Sequence, residues 1–451
     1  MREKLGSRLG FILLSAGCAI GVGNVYKFPY MVGQNGGGIF VLIYLFFLVA
    51  LGIPVMTMEF AAGRAAQKSP VRIHKELEPA GTKWHIHGYA ALAGNVMLMM
   101  FYATIAGWML NYFVTSALGG FVGMNVEQIS ANYGAMLSDP VTQIVYMAII
   151  VVVGFFICSF SLQGGLERFS KIMMCGLFVI MIVMVINSFF MEGAREGLKF
   201  YLVPSIEKFK EVGAGKVIAD AMNQSFFTLS TGIGSMAIFG SYIGKERSLL
   251  GESVNIAVLD TAIAFFAGLI IFPACFTHGV QPDSGMGLIF KTLPNIFNNM
   301  PLGRLWGTLF FLLMTFAAFS TVLAVFENII ACVRDLTGWS RRKTSIICCV
   351  SMLLLCLPCA LGFNLLSGIQ PMGEGSVIMD IEDYIVSYIM LPLGSLAFVL
   401  FCTSRYGWGW KNFVAEANTG KGLKVKNWMR IYMTYILPLL VIGVFVINVF
   451  L

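Results

Sequence analysis

Charge is scarce in this chain. Only 12% of its 451 residues are Asp, Glu, Lys or Arg, whereas 58% are hydrophobic. Long polar stretches are missing as well, because apolar runs of about 20 residues recur from end to end, each long enough to cross a bilayer. Together these absences exclude a water-soluble globular protein and leave a polytopic membrane protein whose main partner is the lipid bilayer. There is no phosphate-binding loop, no nucleophile elbow and no Cys or His spacing suited to zinc. An ATP-driven or enzymatic role therefore has no support. His74, His85, His87 and His278 have no metal-ligand company, and His85 and His87 read as interfacial residues at a helix start. The net charge of +7 comes with no basic block outside the short loops, so no nucleic-acid partner is expected. The ten cysteines fall mostly inside apolar runs without a paired loop framework, which makes them free thiols acting as small hydrophobes. The first apolar run contains Lys27 and lacks a small-residue cleavage site, so it reads as a retained span rather than a signal peptide.

What is present divides into eleven apolar spans near 9–34, 38–63, 87–118, 140–160, 168–190, 216–243, 253–277, 302–334, 344–362, 377–402 and 427–450. Lys and Arg flank them asymmetrically. Arg8 precedes the first, Arg64 and Lys68 follow the second, Arg168 and Lys171 follow the fourth, Lys245 and Arg247 the sixth, Arg341 and Arg342 the eighth, and Lys421 and Lys424 the tenth. The loops at 119–139 and 363–376 have neither residue type. By the positive-inside rule the amino terminus is cytoplasmic and the carboxyl terminus external. The loop at 191–215 carries four Lys or Arg residues against this assignment, accompanied by four glutamates, and the other loops outvote it. Short loops and external loops without glycosylation signals favour a prokaryotic inner membrane.

Two spans are interrupted. Between Ser15 and Tyr30 an apolar run carries Gly17, Gly21, Gly23, Asn24, Lys27 and Pro29, and each glycine weakens a helix by about 1 kcal/mol relative to alanine. If the helix opens there, its freed carbonyls need partners, since irregular backbone at membrane depth survives only against a cavity or other protein. A bound cation is one such partner. A kinked helix packed through small residues is the other explanation. Five spans later QSFFTLSTGIGS, at 224–235, repeats the pattern with Gly232 and Gly234 beside Thr228, Ser230 and Thr231. Because five is odd, a second five-span unit enters the membrane inverted, and paired interrupted helices of this kind point to a transporter site at the repeat interface. No identity between the halves is visible, so two unrelated kinks remain the alternative.

The stretch RLGFILLSAGCAIGVGNVYKFPY, the NGGG at 35–38, GIPVMTMEFAAGR at 52–64, GLERFSK at 165–171 and FFTLSTGIGS at 226–235 resemble the neurotransmitter:sodium symporters, in particular their bacterial eleven-helix branch. The resemblance implies an all-α integral membrane fold, a single transporter domain over residues 1–451. Its ten-helix core would be two inverted five-helix repeats, about 9–190 and 216–402, with helices 1 and 6 discontinuous and an extra helix at about 427–450. It also implies sodium-coupled import of hydrophobic L-amino acids, aliphatic or aromatic, by alternating access. A proton-coupled carrier and a non-transporting amino-acid sensor of the same fold stay open as alternatives.

The family pattern places one sodium ion among the Ala19 carbonyl, Asn24, Thr228 and Asp260. A second falls among the carbonyls of Gly17 and Ile20 together with Ala317, Ser320 and Thr321, although the hydroxyls of Ser320 and Thr321 would also suit ordinary bonding to the preceding helical turn. A carboxylate in mid-span costs roughly 2.5 to 3.5 kcal/mol on insertion scales, so Asp260 needs a partner or a purpose. Chloride-dependent relatives have a neutral side chain there, and a fixed acid implies transport without chloride. Amine-transporting relatives have an aspartate where this chain has Gly21, so a ligand bringing its own carboxylate is expected. The implied substrate site comprises Cys18, Ala19, Gly21 and Gly23 in the first break, Leu98 and Tyr102 in the third span, Phe227, Thr228, Ser230 and Ile233 at the second break, and Thr321 and Val325 in the eighth. Ile233 stands where the family's leucine-selective prototype has a larger aromatic. Lys27 and Asp383 form the implied outer gate above a lid of Tyr102 and Phe227, and Arg2 and Asp335 the inner gate; either pair would also make sense as a static salt bridge. Glu59 matches an acid that accepts hydrogen bonds from the unwound backbone.

Overall fold

A backbone in hydrocarbon must satisfy its own N–H and C=O groups, so apolar runs of this length have to become helices. The computed structural model, which describes residues 4–279 and 287–450, is accordingly all-helical, and no sheet is found among the described residues. Among the described residues, nine helices are long and apolar enough to cross a membrane: Gly38–Ala66, His85–Ala117, Pro140–Ser159, Leu162–Ser188, Leu249–Thr277, Gly303–Thr337, Arg341–Leu361, Ile378–Thr403 and Met429–Ile447. They are spans 2 to 5 and 7 to 11. Span 1 is a bent pair, Arg8–Ala19 and Gly23–Gln34, whose halves meet at 54°. The segment at 216–243, expected as an interrupted span, is two shorter helices, Ala214–Thr228 and Ser235–Gly240, separated by six residues. These pieces are span 6.

Local chemistry sets the boundaries. Span 4 starts where the Asp139 carboxylate accepts the amides of Val141 and Thr142 and Pro140 needs no amide partner. Span 8 stops at Gly338, whose left-handed backbone (φ 72°) returns an amide to the Arg334 carbonyl. Span 9 then starts on the Ser340 side chain.

Interior and lipid-facing helices separate by burial. In span 8, 78% of the most apolar stretch is buried, against 28% in span 11. Span 8 is thus central and span 11 peripheral. Exposed apolar residues run in helical stripes, Leu42, Phe46 and Val49 on span 2, Val145, Ile149, Val152 and Phe156 on span 4, and Val179, Ile182 and Ile186 on span 5. Such faces suit acyl chains. The polar residues turn inward, where Asn24, Glu59, Asn95, Asp260, Ser320, Glu327 and Asn328 are all buried.

Candidate functional site

The two breaks face each other, and several of the backbone groups they free have side-chain partners. In span 1 the first half-helix ends at Ala19, and Ile20 is extended (φ −72°, ψ 102°). The Gly21 amide then bonds the Asn24 side-chain oxygen at 3.1 Å, and the Val22 amide bonds the Tyr102 hydroxyl at 2.9 Å. Gln224 donates to the Gly23 carbonyl at 3.3 Å. The carbonyls of Gly17, Cys18 and Ile20 accept from Thr321 at 3.3, 3.4 and 3.3 Å, and Ser320 adds a 3.3 Å bond to Ile20. Ser320 also bonds the Ala317 carbonyl at 2.9 Å, so back-bonding within span 8 and contact with span 1 coexist.

In span 6 the chain passes through positive φ at Ser230, Gly232 and Gly234. Only glycine fits at 232, because a Cβ there would lie 2.2 Å from the Leu391 carbonyl. The Gly232 amide donates to Glu59 of span 2. Asn95 of span 3 donates to the Ile233 carbonyl at 2.7 Å and to the Ala91 carbonyl at 2.7 Å, while its oxygen accepts from Ser235 at 3.1 Å and Asn328 at 3.0 Å. All four of its hydrogen-bonding positions are used.

Between the breaks lies a narrow cavity. Every residue expected to contact substrate lines it except Thr228 and Val325. The Thr228 hydroxyl donates to the Asp260 carboxylate at 2.9 Å. Val325 is buried in span 8 away from the cavity lining, and Leu391 of span 10 contributes instead. Leu391 gave no signal in the sequence, being one apolar residue in an apolar helix. A side chain at Gly21 would place its Cβ 2.3 Å from the Tyr102 oxygen and 2.6 Å from the Thr321 hydroxyl. The site therefore has no room for an acid at that position.

Beside the cavity, Asn24 donates to one Asp260 carboxylate oxygen at 2.7 Å and to Thr228 at 3.2 Å, with Thr228 on the other carboxylate oxygen. Ala19 ends the half-helix of span 1. The groups here and those around Gly17, Ile20, Ala317, Ser320 and Thr321 present oxygen as carbonyl, hydroxyl and carboxylate, while Asn24 turns its NH₂ group to Asp260 and Thr228 and its oxygen to Gly21. Such oxygens suit a hard cation rather than a soft metal. Among the described residues no three His, Cys, Asp or Glu side chains gather as metal ligands.

Above this cavity a wider vestibule is lined by Lys27, Asp380, Asp383 and Tyr388 among others. Gly23, Tyr102 and Phe227 border both spaces. The Lys27 ammonium stands 3.9 Å from Asp383 and 3.8 Å from the centre of the Phe227 ring, while Ser387 bonds Asp383 at 2.6 Å. One cation thus faces both the Asp383 carboxylate and the Phe227 ring.

On the opposite side Arg2 lies outside the described residues, and Asp335 accepts the Ser69 amide at 2.7 Å. A network that sequence reasoning missed sits nearby. Glu327 of span 8 accepts from the Tyr242 hydroxyl at 2.7 Å and from the guanidinium of Arg341, whose Nε also donates to the Cys158 carbonyl at 2.7 Å. The signal was available, because a glutamate buried in mid-span requires a partner. Arg341→Ala strips the charge partner from a buried carboxylate, a loss of about 3 to 5 kcal/mol. The expected result is faster labelling of cytoplasmic-side cysteine reporters and a lower melting temperature, checked by maleimide kinetics and thermal denaturation in detergent.

His74 is buried with its Nε2 3.2 Å from Nδ1 of the partly buried His87. Burial, with His87 and His85 close by, pushes His74 well below the ordinary histidine range and keeps it neutral.

The model of the sodium:neurotransmitter symporter family matches residues 2–122 and 120–451. An uncharacterized sodium-dependent transporter, YhdH of Bacillus subtilis, is 33% identical over 97% of this chain and 96% of its own. A sodium- and chloride-dependent taurine transporter of Bos taurus is 25% identical over 99% of this chain and 78% of its own. The crystal structure of MhsT in complex with L-phenylalanine superposes with a TM-score of 0.89 at 35% identity, covering 99% of this chain and 100% of that one. Interrupted spans, inward-turned oxygens and full-length similarity converge, and the chain belongs to the sodium:neurotransmitter symporter family.

Proposed function

We propose that the chain is a sodium-coupled symporter that imports hydrophobic L-amino acids, aliphatic or aromatic, by alternating access and without chloride. The observation that carries this reading is the pairing of an apolar cavity with two broken helices whose oxygens converge beside it, at a position where Gly21 leaves no space for an acid. An amino acid supplies the missing carboxylate. That group would meet the amides around Gly21 and Gly23 and the Tyr102 hydroxyl, and the ammonium would meet carbonyls of the two breaks. The apolar wall of Leu98, Ile233 and Leu391 leaves fewest unpaired groups against a hydrocarbon or aromatic side chain. The similarity to a structure holding L-phenylalanine supports the same class.

Two sodium ions are assigned, one at Asn24, Thr228, Asp260 and Ala19, the other at Gly17, Ile20, Ala317, Ser320 and Thr321. For the first, the Asn24 amide would rotate to present its oxygen. Asp260 supplies the fixed negative charge that chloride supplies elsewhere. Substrate closes Tyr102 and Phe227 beneath Lys27 and Asp383. Release of sodium from between spans 1 and 8 then loosens the side held by Asp335 and by Tyr242, Glu327 and Arg341. Lysine lacks the bidentate fork of arginine, so the outer latch is a loose one, in keeping with the 3.9 Å separation. The repeats are placed at about 9–190 and 216–402, with the amino terminus in the cytoplasm of a prokaryotic cell and the carboxyl terminus outside.

Scintillation-proximity binding of labelled leucine, tryptophan and tyrosine tests this directly. Binding in sodium chloride should persist in sodium gluconate and vanish in potassium chloride. Equal binding in potassium would leave a proton-coupled carrier or a sensor, which counterflow separates, because exchange of labelled for unlabelled substrate requires alternating access. Loss of binding in gluconate would remove the role given to Asp260.

A further inference from the structure

The cavity ends against Ile233, and what lies behind that residue decides how far the wall can retreat. Its backbone is held. The Ile233 carbonyl accepts from Asn95 at 2.7 Å, and the preceding Gly232 is bonded to Glu59 and sits against the Leu391 carbonyl. A β-branched side chain has little torsional freedom of its own. Behind it stand Gly94 of span 3 and Met390 of span 10. A Cβ built on Gly94 would lie 2.8 Å from Ile233 Cγ2, 3.2 Å from Met390 Cε and 3.5 Å from Met390 Sδ. Ile233 and Met390 thus already fill the space that a side chain at Gly94 would take, and Met390, unbranched and only partly buried, is the neighbour better able to shift.

We infer that Gly94 and Met390 form a yielding back wall that sets the largest side chain the cavity admits, so that the site takes aromatic amino acids up to the indole of tryptophan as well as branched aliphatic ones. The inference rests on the proposed reading of the cavity as an amino-acid site and names which members of that class enter. Neither residue lines the cavity; both act through Ile233 and are positioning residues. A methyl group at 94 must displace something, and the backbone route is closed by Asn95 and Glu59. Ile233 Cγ2 is then driven toward the substrate. A short side chain never reaches that wall, whereas a long one is blocked by it, so the effect grows with substrate size. General loss of stability would weaken all substrates alike.

The test is competition by unlabelled alanine, leucine and tryptophan against labelled leucine, with the purified full-length chain in sodium chloride. In Gly94→Ala, tryptophan should weaken relative to leucine by roughly ten-fold or more, the scale of a methyl-sized misfit in an apolar pocket. Met390→Ala should move the tryptophan-to-leucine ratio in the opposite direction. Adding Ile233→Ala to Gly94→Ala removes the displaced methyl and should restore tryptophan. Equal weakening of all substrates in Gly94→Ala, or no recovery in the double variant, overturns the inference. If Gly94→Ala does not fold, an unchanged ratio in Met390→Ala overturns it as well. A wild-type protein that binds leucine and rejects tryptophan overturns the inference alone; one that binds no amino acid in sodium overturns the functional reading beneath it.

Discussion

Asp260→Ala should abolish sodium-dependent leucine binding, weakening it by about 100-fold or more. The carboxylate is fully buried and accepts from Asn24 at 2.7 Å and Thr228 at 2.9 Å. Hydrogen bonds to a charged group are worth about 1.5 to 3 kcal/mol each. Alanine removes both and leaves the Asn24 amide and the Thr228 hydroxyl without that acceptor. It also removes the fixed negative charge that the proposed mechanism sets beside the first sodium ion. Asp260→Asn separates the two losses, because asparagine keeps the shape and one oxygen but not the charge. Under the proposed function the asparagine variant binds weakly in sodium gluconate and recovers when chloride is supplied. The readout is scintillation-proximity binding across a sodium titration in each anion. An asparagine variant indistinguishable from wild type in gluconate would show that the charge is unused, and an alanine variant that retains sodium-dependent binding would remove Asp260 from the cation site.

The legible parts of this protein were those whose signal is local. The break in span 1 could be read from Gly17 to Pro29 because glycine, asparagine and lysine in an apolar run are anomalous within a few residues of one another. The break in span 6 was legible in the same way. The six residues between Thr228 and Ser235 divide the segment into two short helices. Long-range pairs were harder. Asn95 and Asn328 bond each other across 233 positions, and Glu327 finds Tyr242 85 positions away. Each is a lone polar residue in an apolar helix, where its cost is visible but its partner is not. Arg341 counted as a loop charge until the fold carried it to Glu327. Leu391 shows the limit, since nothing chemical distinguishes a cavity-lining leucine from one that faces a neighbouring helix. The resemblance to the family supplied the expected gate and cavity residues by position, Thr228 among them, whose hydroxyl the fold turns to Asp260.

Glu59→Ala should cost both stability and binding, because Glu59 holds the break that leads into a helix with no side-chain cap. Gly234 precedes the Ser235–Gly240 helix with left-handed backbone and offers no side chain to the first-turn amides. Two residues earlier the Glu59 carboxylate of span 2 takes the Gly232 amide. At full burial there is no water to replace it, and a buried amide left without an acceptor costs about 1 to 3 kcal/mol. The alanine variant should therefore lose about 1 to 3 kcal/mol, seen as a lower melting temperature in detergent. Substrate binding falls with it, because Gly232 and Ile233 stand in the break that borders the cavity. Glu59→Gln offers one oxygen to Gly232 but turns an NH₂ group toward donors, so it should lie closer to alanine than to wild type. Glu59→Asp keeps the charge one methylene short and should recover part of the melting temperature. A Glu59→Ala protein with wild-type melting and wild-type leucine affinity would mean that the span 6 break holds its shape through Asn95 and Leu391 alone.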